Sequence, residues 1–67
     1  MTAAQFEELD ESEAVEVLRW RFGVLLRAGF DFDQAAMVAA HVDVDLHEAV
    51  ELLDRGCPAE TAIRILV

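Results

Sequence analysis

Two stretches of this chain, LLRAGFDFDQA at residues 25–35 and LLDRGCPAETA at residues 52–62, share one pattern that decides the fold. In each, a Leu pair is followed by Gly three residues after its second member, by an acid four residues later and by Ala two residues beyond. Glycine tolerates the left-handed backbone conformation that ends helices. Asp31 and Pro58, two residues after each Gly, are favoured at a helix N-cap and first turn. The pattern therefore predicts a helix end, a turn and a new helix start, twice.

Capping signals predict the other helix boundaries. A capping residue followed three residues later by Glu or Gln is typical of a helix start. The pattern occurs at Asp10 with Glu13, Asp31 with Gln34 and Asp45 with Glu48, and Thr2 with Gln5 predicts one capped turn in the lead-in. The predicted helices span residues 11–28, 32–40, 46–55 and 58–66, with Pro58 as the first helical residue of the last.

The sequence predicts an all-α fold. No segment shows a sustained period-two pattern, and the short alternation at residues 41–45 is typical of a connection between helices rather than a strand. We therefore expect one domain over residues 1–67, with a lead-in at residues 1–9 and a helical core at residues 10–67. That core is a compact bundle of three to four short helices.

Helical periodicity predicts which side chains form the core. The predicted core residues are Ala14, Leu18, Phe22 and Leu25; Ala35, Ala36 and Ala39 with Met37 or Val38 beside them; Leu46, Ala49, Val50 and Leu53; and Ala59, Ala62, Ile63 and Leu66.

The charge balance argues against nucleic acid as a partner. Fourteen acids face five basic residues, all of them Arg, for a net charge of −9, whereas nucleic-acid binding needs a basic face. Arg19, Arg21 and Arg27 point in different directions on one helix, so we expect them to be solvated surface charges. No apolar run approaches the length of a membrane span, and the N-terminus lacks signal-peptide character. The expectation is a cytoplasmic protein that binds no membrane.

No catalytic or metal-binding constellation emerges from the sequence. His41, His47 and Cys57 are the only soft ligand types, and no second ligand pair supports them. Cys57 lacks a disulfide partner and is expected to be a small buried apolar side chain. We expect no cofactor, no metal and no enzyme activity.

The loop Ala28-Gly29-Phe30, the Ala pair of the following short helix and the run Ala49-Val50-Glu51-Leu52-Leu53 together resemble the ubiquitin-associated domain. In that three-helix family a Leu-rich helix end precedes a Met-Gly-Phe loop, and the third helix carries Ala-Val and a Leu pair. Ala28 replaces the family's loop Met, and Pro58 opens a helix that the family lacks.

The resemblance implies a protein-binding surface formed by Gly29 and Phe30 with Leu52 and Leu53. Phe30 and Leu53 also suit core packing, whereas Leu52 projects away from the core stripe. The absence of Lys and the bias toward Arg, Ala, Asp and Val are typical of a GC-rich bacterial gene. Because ubiquitin would be absent there, the implied ligand is another protein.

The distribution of apolar residues in the first long helix, residues 11–28, predicts a second protein-binding surface. Its apolar residues spread far more widely around the helix than the stripe of a surface helix, which leaves Val17, Trp20 and Val24 as an uncovered flank. This predicts a homodimer or a heteromeric contact through the flank; the alternative is that Phe6 and Leu9 of the lead-in wrap over it.

Two functions remain open at this point. The first is a protein-binding helical module that acts as an adaptor or accessory subunit through an apolar surface. The second is an acidic inhibitor or regulator that occupies the basic, nucleic-acid-binding surface of a partner. Added salt separates them, because it screens charge-led binding and leaves apolar binding intact.

Overall fold

The computed structural model describes residues 1–67 as five helices without a strand, which confirms the all-α prediction. The helices are α1 (Ala3–Glu7), α2 (Glu11–Ala28), α3 (Phe32–Ala40), α4 (Leu46–Asp54) and α5 (Ala59–Leu66). The bounds of α2 and α3 match the prediction. Helix α4 ends one residue earlier than predicted, and Pro58 is the N-cap of α5 rather than its first helical residue. None of the five helices has the length and apolar character that crossing a membrane requires.

The pattern shared by residues 25–35 and 52–62 encodes two helix ends of one type. Gly29 has a φ of 122° and Gly56 a φ of 89°. The N–H groups of Gly29 and of the next residue donate to the carbonyls of the first Leu pair, and those of Gly56 and Cys57 donate to the second. Both ends are Schellman motifs, in which the Leu pair supplies the two carbonyl acceptors. Both predicted helix ends are confirmed.

Three of the four predicted capping boxes form. They open α1, α2 and α3, with reciprocal bonds between Thr2 and Gln5, Asp10 and Glu13, and Asp31 and Gln34. The fourth prediction is wrong, because the Asp45 carboxylate accepts from the N–H of His47 at 2.8 Å instead of pairing with Glu48. The backbone of Asp45 has a ψ of 118°, against 176° at Asp31, and this turns its side chain toward an earlier N–H of the helix.

Helix α2 packs against α3 and α4, and α5 packs against α4 and α3. The buried core consists of Leu25, Phe30, Ala35, Val38, Ala39, Val44, Leu46, Ala49 and Ala62. The prediction of Ala36 as a core residue is wrong, because it lies on the exposed side of α3, and of the pair Met37 or Val38 it is Val38 that is fully buried. Three further predicted core residues are only half-buried and lie outside the core cluster: Ala14, Leu18 and Val50. The sequence analysis also missed Val42 and Val44, which the alternating connection directs inward.

Candidate functional site

The exposed indole of Trp20 marks a groove between α2 and the first turn of α4. The Trp20 side chain is 62% exposed although it lies midway along the longest helix. Two depressions of about 360 Å³ and 240 Å³ meet at this residue. We call them together the Trp20 groove, which is lined by Met1, Val17, Trp20, Arg21, Val24, Asp45, Leu46, His47 and Val50.

Helical spacing explains why these side chains meet. Val17, Trp20 and Val24 follow one another at three- and four-residue steps, so they lie on one side of α2. Leu46 and Val50 stand one turn apart on α4 and form the opposite wall. Val17 and Val24 are half-buried between the helices, and Trp20 projects beyond them. The groove therefore contains all three residues of the predicted flank.

The lead-in does not cover Trp20. Phe6 and Leu9 are half-buried, and Met1 lines one end of the groove, yet Trp20 keeps most of its surface open to solvent. The alternative predicted for this flank, wrapping by Phe6 and Leu9, therefore does not hold at Trp20, and neither residue lines the groove.

Arg21 forms part of the groove wall and is buried, with 4% of its surface exposed. Its Nε donates to the carbonyl of Ala39 at 3.1 Å, and its Nη2 donates to those of His41 and Val44 at 2.9 Å each. A weaker contact of 3.4 Å joins Nη2 to the carbonyl of Val38. Arg21 thereby ties α2 to the last turn of α3 and to the α3–α4 connection. The prediction of a solvated Arg21 is wrong.

Burial lowers the pKa of the Arg21 guanidinium below its ordinary value, and the nearby carboxylates of Asp43 and Asp45 oppose that shift. The side chain stays charged at neutral pH because arginine titrates far above it. A signal for its burial was present in the sequence. Arg21 follows Leu18 by three residues and precedes Leu25 by four, which places it on the apolar stripe.

Acidic side chains gather at one end of the groove. Asp45 lines it, and Asp43 lies close enough to influence Arg21. Glu13 and Glu16 are exposed one turn before Val17 and Trp20, respectively, on α2. Residues 1–16 contain six acids and no Arg. Arg27, two turns beyond Trp20, lies toward the opposite end.

The surface implied by the ubiquitin-associated resemblance is only partly open. Phe30 is 3% exposed and belongs to the core, which is the packing role that its position also allowed. Leu52 and Leu53 are half-buried and pack against the core. Gly29 is exposed, and a Cβ on it would lie 3.6 Å from Cδ1 of Leu53. The structure thus brings the loop and the end of α4 together while leaving little apolar surface there.

A second apolar depression lies between α2 and α3, and the sequence analysis did not predict it. It measures about 330 Å³ and is lined by Val15, Leu18, Arg19, Phe22, Ala36, Ala39 and Ala40. Beside it, Phe32 is 69% exposed, and its ring meets Phe22 edge-on at a centroid distance of 5.0 Å. Phe32 thus provides an exposed aromatic side chain outside the Trp20 groove.

The side chains that could bind a metal ion do not form a cluster. No three His, Cys, Asp or Glu residues are grouped as metal ligands would be. Cys57 is half-buried and packs against the core, and the Nδ1 atom of His41 contacts the carbonyl of Met37 at 2.8 Å. Within the groove, Asp45 already caps α4.

Comparisons with protein-family models, with curated proteins and with solved structures find no match to this chain. The resemblance to the ubiquitin-associated domain stays a prediction.

Proposed function

We propose that this chain is a protein-binding module, an adaptor or accessory subunit, that holds apolar side chains of a partner in the Trp20 groove. The observation that carries the proposal is the 62% exposure of Trp20 beside Val17, Val24 and Leu46. Burial of a large apolar side chain contributes about 1.5–3 kcal/mol, and Trp is enriched among the residues that dominate interface energies.

The groove suits binding because its walls are already ordered. Arg21 is committed to backbone carbonyls of α3 and of the connection that leads into α4, so this part of the wall is held in place without a partner. A partner then meets a surface that needs little rearrangement, which lowers the entropic cost of association.

The test compares two exposed aromatic side chains. Tagged parent, Trp20→Ala and Phe32→Ala chains are used to capture partners from the native lysate at low and high salt. We expect Trp20→Ala to lose the proteins that the parent captures, and Phe32→Ala to retain them. Equal capture by all three chains would overturn the proposal.

A heteromeric partner is proposed in preference to a second copy. Each chain carries a net charge of −9, and acids gather at one end of the groove, so two copies would meet with like charges. Analytical ultracentrifugation of the parent and of Trp20→Glu tests this. We expect a monomer in both, and a dimer in the parent alone would assign the flank to self-association.

A second candidate function, that of an acidic regulator on a basic partner, is favoured by the cluster of acids in residues 1–16. For either function the proposed compartment is the cytoplasm of a bacterium. Capture that survives high salt favours the apolar module, whereas steep loss favours the charge-led regulator.

A further inference from the structure

We propose that the occupant of the Trp20 groove is a cationic amphipathic helical segment of another protein. This inference rests on the proposed function and adds the chemistry of the partner to it. The groove supplies a wall for each side of such a segment: an apolar wall for its Leu-like stripe and a carboxylate rim for its Lys or Arg residues.

The apolar wall fits a short helix. It extends from Val17 past Trp20 to Val24 on α2, a rise of about 10 Å at 1.5 Å per residue. Two turns of a partner helix cover that distance, and side chains at i, i+3 and i+7 then reach the groove. Trp20 lines both depressions together with Leu46 and His47, so apolar side chains of one partner helix can contact the indole from both.

The rim determines the charge of the partner. Asp45 lines the groove, Asp43 lies near enough to act on the charge of Arg21, and Glu13 and Glu16 are exposed one turn before Val17 and Trp20 on α2. We call these four carboxylates the rim, and Arg21 is the opposing charge in the groove wall. Four carboxylates against one guanidinium leave a local excess of negative charge. Arg21 is also occupied by carbonyl oxygens. Glu13 and Asp45 each accept one backbone N–H at a helix cap, but all four carboxylates are exposed, so they can still meet cations. The basic residues of the partner therefore lie toward the start of α2.

Other occupants fit these charges poorly. Phosphate-bearing nucleic acid and anionic lipid headgroups would both approach carboxylates at the groove and a chain of net charge −9. A second copy would bring a second acidic rim. A cationic protein segment is the class of ligand whose charge complements the rim.

The experiment uses two synthetic helical peptides with one shared apolar stripe of Leu, whose remaining positions are Lys in one peptide and Glu in the other. Binding to the full chain is followed by the emission of Trp20, which is the only Trp in a chain without Tyr. We expect the Lys peptide to bind roughly tenfold or more tightly than the Glu peptide at low salt, and added salt to reduce the difference. Equal affinity for both peptides would overturn the inference.

Matched variants separate the local rim from the overall charge. The triple variant Glu13→Gln, Asp43→Asn and Asp45→Asn removes three rim charges and keeps residue types that suit the two helix caps. The control variant Glu8→Gln, Asp33→Asn and Glu60→Gln removes three exposed charges outside the groove. We expect the first to lose the preference for the Lys peptide and the second to retain most of it.

A further pair tests the groove itself, with labelled peptide as the reporter. Trp20→Ala should weaken the Lys peptide roughly tenfold, while Phe32→Ala should leave it unchanged. The inference would be overturned if the Lys peptide bound Trp20→Ala as well as the parent, or if both triple variants lost the same affinity. Either result would mean that the peptide is attracted to the overall charge of the chain and not to the groove.

The outcomes also separate this inference from the proposed function. If neither peptide binds while Trp20→Ala still loses the partner captured from the lysate, the proposed protein-binding function is retained and the inference of a cationic helical partner is wrong. If Trp20→Ala keeps that partner, the module is wrong. A shift of Trp20 emission with protein concentration alone would assign the groove to a second copy and overturn the inference.

Discussion

Trp20 and Arg21 are neighbours on α2, and their environments are the reverse of what their chemistry suggests. The apolar indole is 62% exposed, and the charged guanidinium is 4% exposed. Arg21 is buried because the last turn of α3 and the following connection present carbonyl oxygens that α2 has to satisfy. Trp20 is exposed because α4, which packs beside it, leaves the groove between α2 and α4 open.

Two adjacent positions on α2 therefore have different roles, one in stability and one in the proposed binding. Arg21 contributes to stability through hydrogen bonds that join three parts of the chain. The Trp20 side chain is mostly open to solvent, and we propose that a partner covers it. Substitutions at the two positions should therefore separate stability from binding.

The largest expected effect is at Arg21. Arg21→Met leaves the carbonyls of Ala39 and Val44 without their donor, and we expect a loss of about 3 kcal/mol in the free energy of unfolding. Arg21→Lys should lose a similar amount, because one ammonium cannot reproduce the donor fork. Urea denaturation measures both variants.

Arg19→Met is the matched control for Arg21, because Arg19 is exposed on the same helix. We expect a change of about 0.5 kcal/mol or less there. Equal effects at the two positions would contradict the structural role of Arg21.

The second effect concerns Leu52, which the ubiquitin-associated resemblance assigns to a partner surface. The side chain is half-buried against the core, so Leu52→Asp should destabilise the fold by about 1–3 kcal/mol. Thermal unfolding measures the loss. A variant with unchanged stability that fails to capture the partner would restore Leu52 as a binding residue and extend the interface beyond the Trp20 groove.

A smaller effect is expected at the cap of α4, which forms part of the groove wall. Asp45→Ala removes the acceptor for the N–H of His47 and should cost about 1 kcal/mol. Asp45→Asn keeps an acceptor and should cost little. Circular dichroism melts of the two variants report the difference, and identical melting temperatures would show that the cap is dispensable.

The smallest effect on stability is expected at Trp20. Trp20→Ala removes mainly exposed surface, and we expect a change of about 0.5 kcal/mol, or roughly 2–4 °C in melting temperature for a chain of this size. A loss as large as that of Arg21→Met would mean that Trp20 is a core residue, and the comparison between the neighbours would fail.

Local signals were the predictable part of this fold. The two Schellman motifs and three capping boxes depend on residues within a few positions of one another, and they predicted α2 and α3 at their observed bounds. The Asp45 cap was mispredicted because its backbone angle depends on how the connection packs. The inward positions of Val42 and Val44 are likewise tertiary in origin.

The candidate site was predictable in part for the same reason. The flank of Val17, Trp20 and Val24 follows from helical spacing on one element. The wall formed by Leu46 and Val50 depends on how α4 crosses α2, and the burial of Arg21 depends on carbonyls about twenty residues away. A pattern within one helix does not contain either piece of information.

The most direct test of the account is the accessibility of Trp20 in the free and bound chain, measured by acrylamide quenching of its emission with 5-fluorotryptophan ¹⁹F NMR as a second reporter. The account predicts strong quenching and one solvent-exposed fluorine signal in the free chain. Both should change to a protected environment when the captured partner is added. A Trp20 that is already protected in the free chain, or that stays fully quenchable in the complex, would contradict the claim that the groove beside it is the binding site.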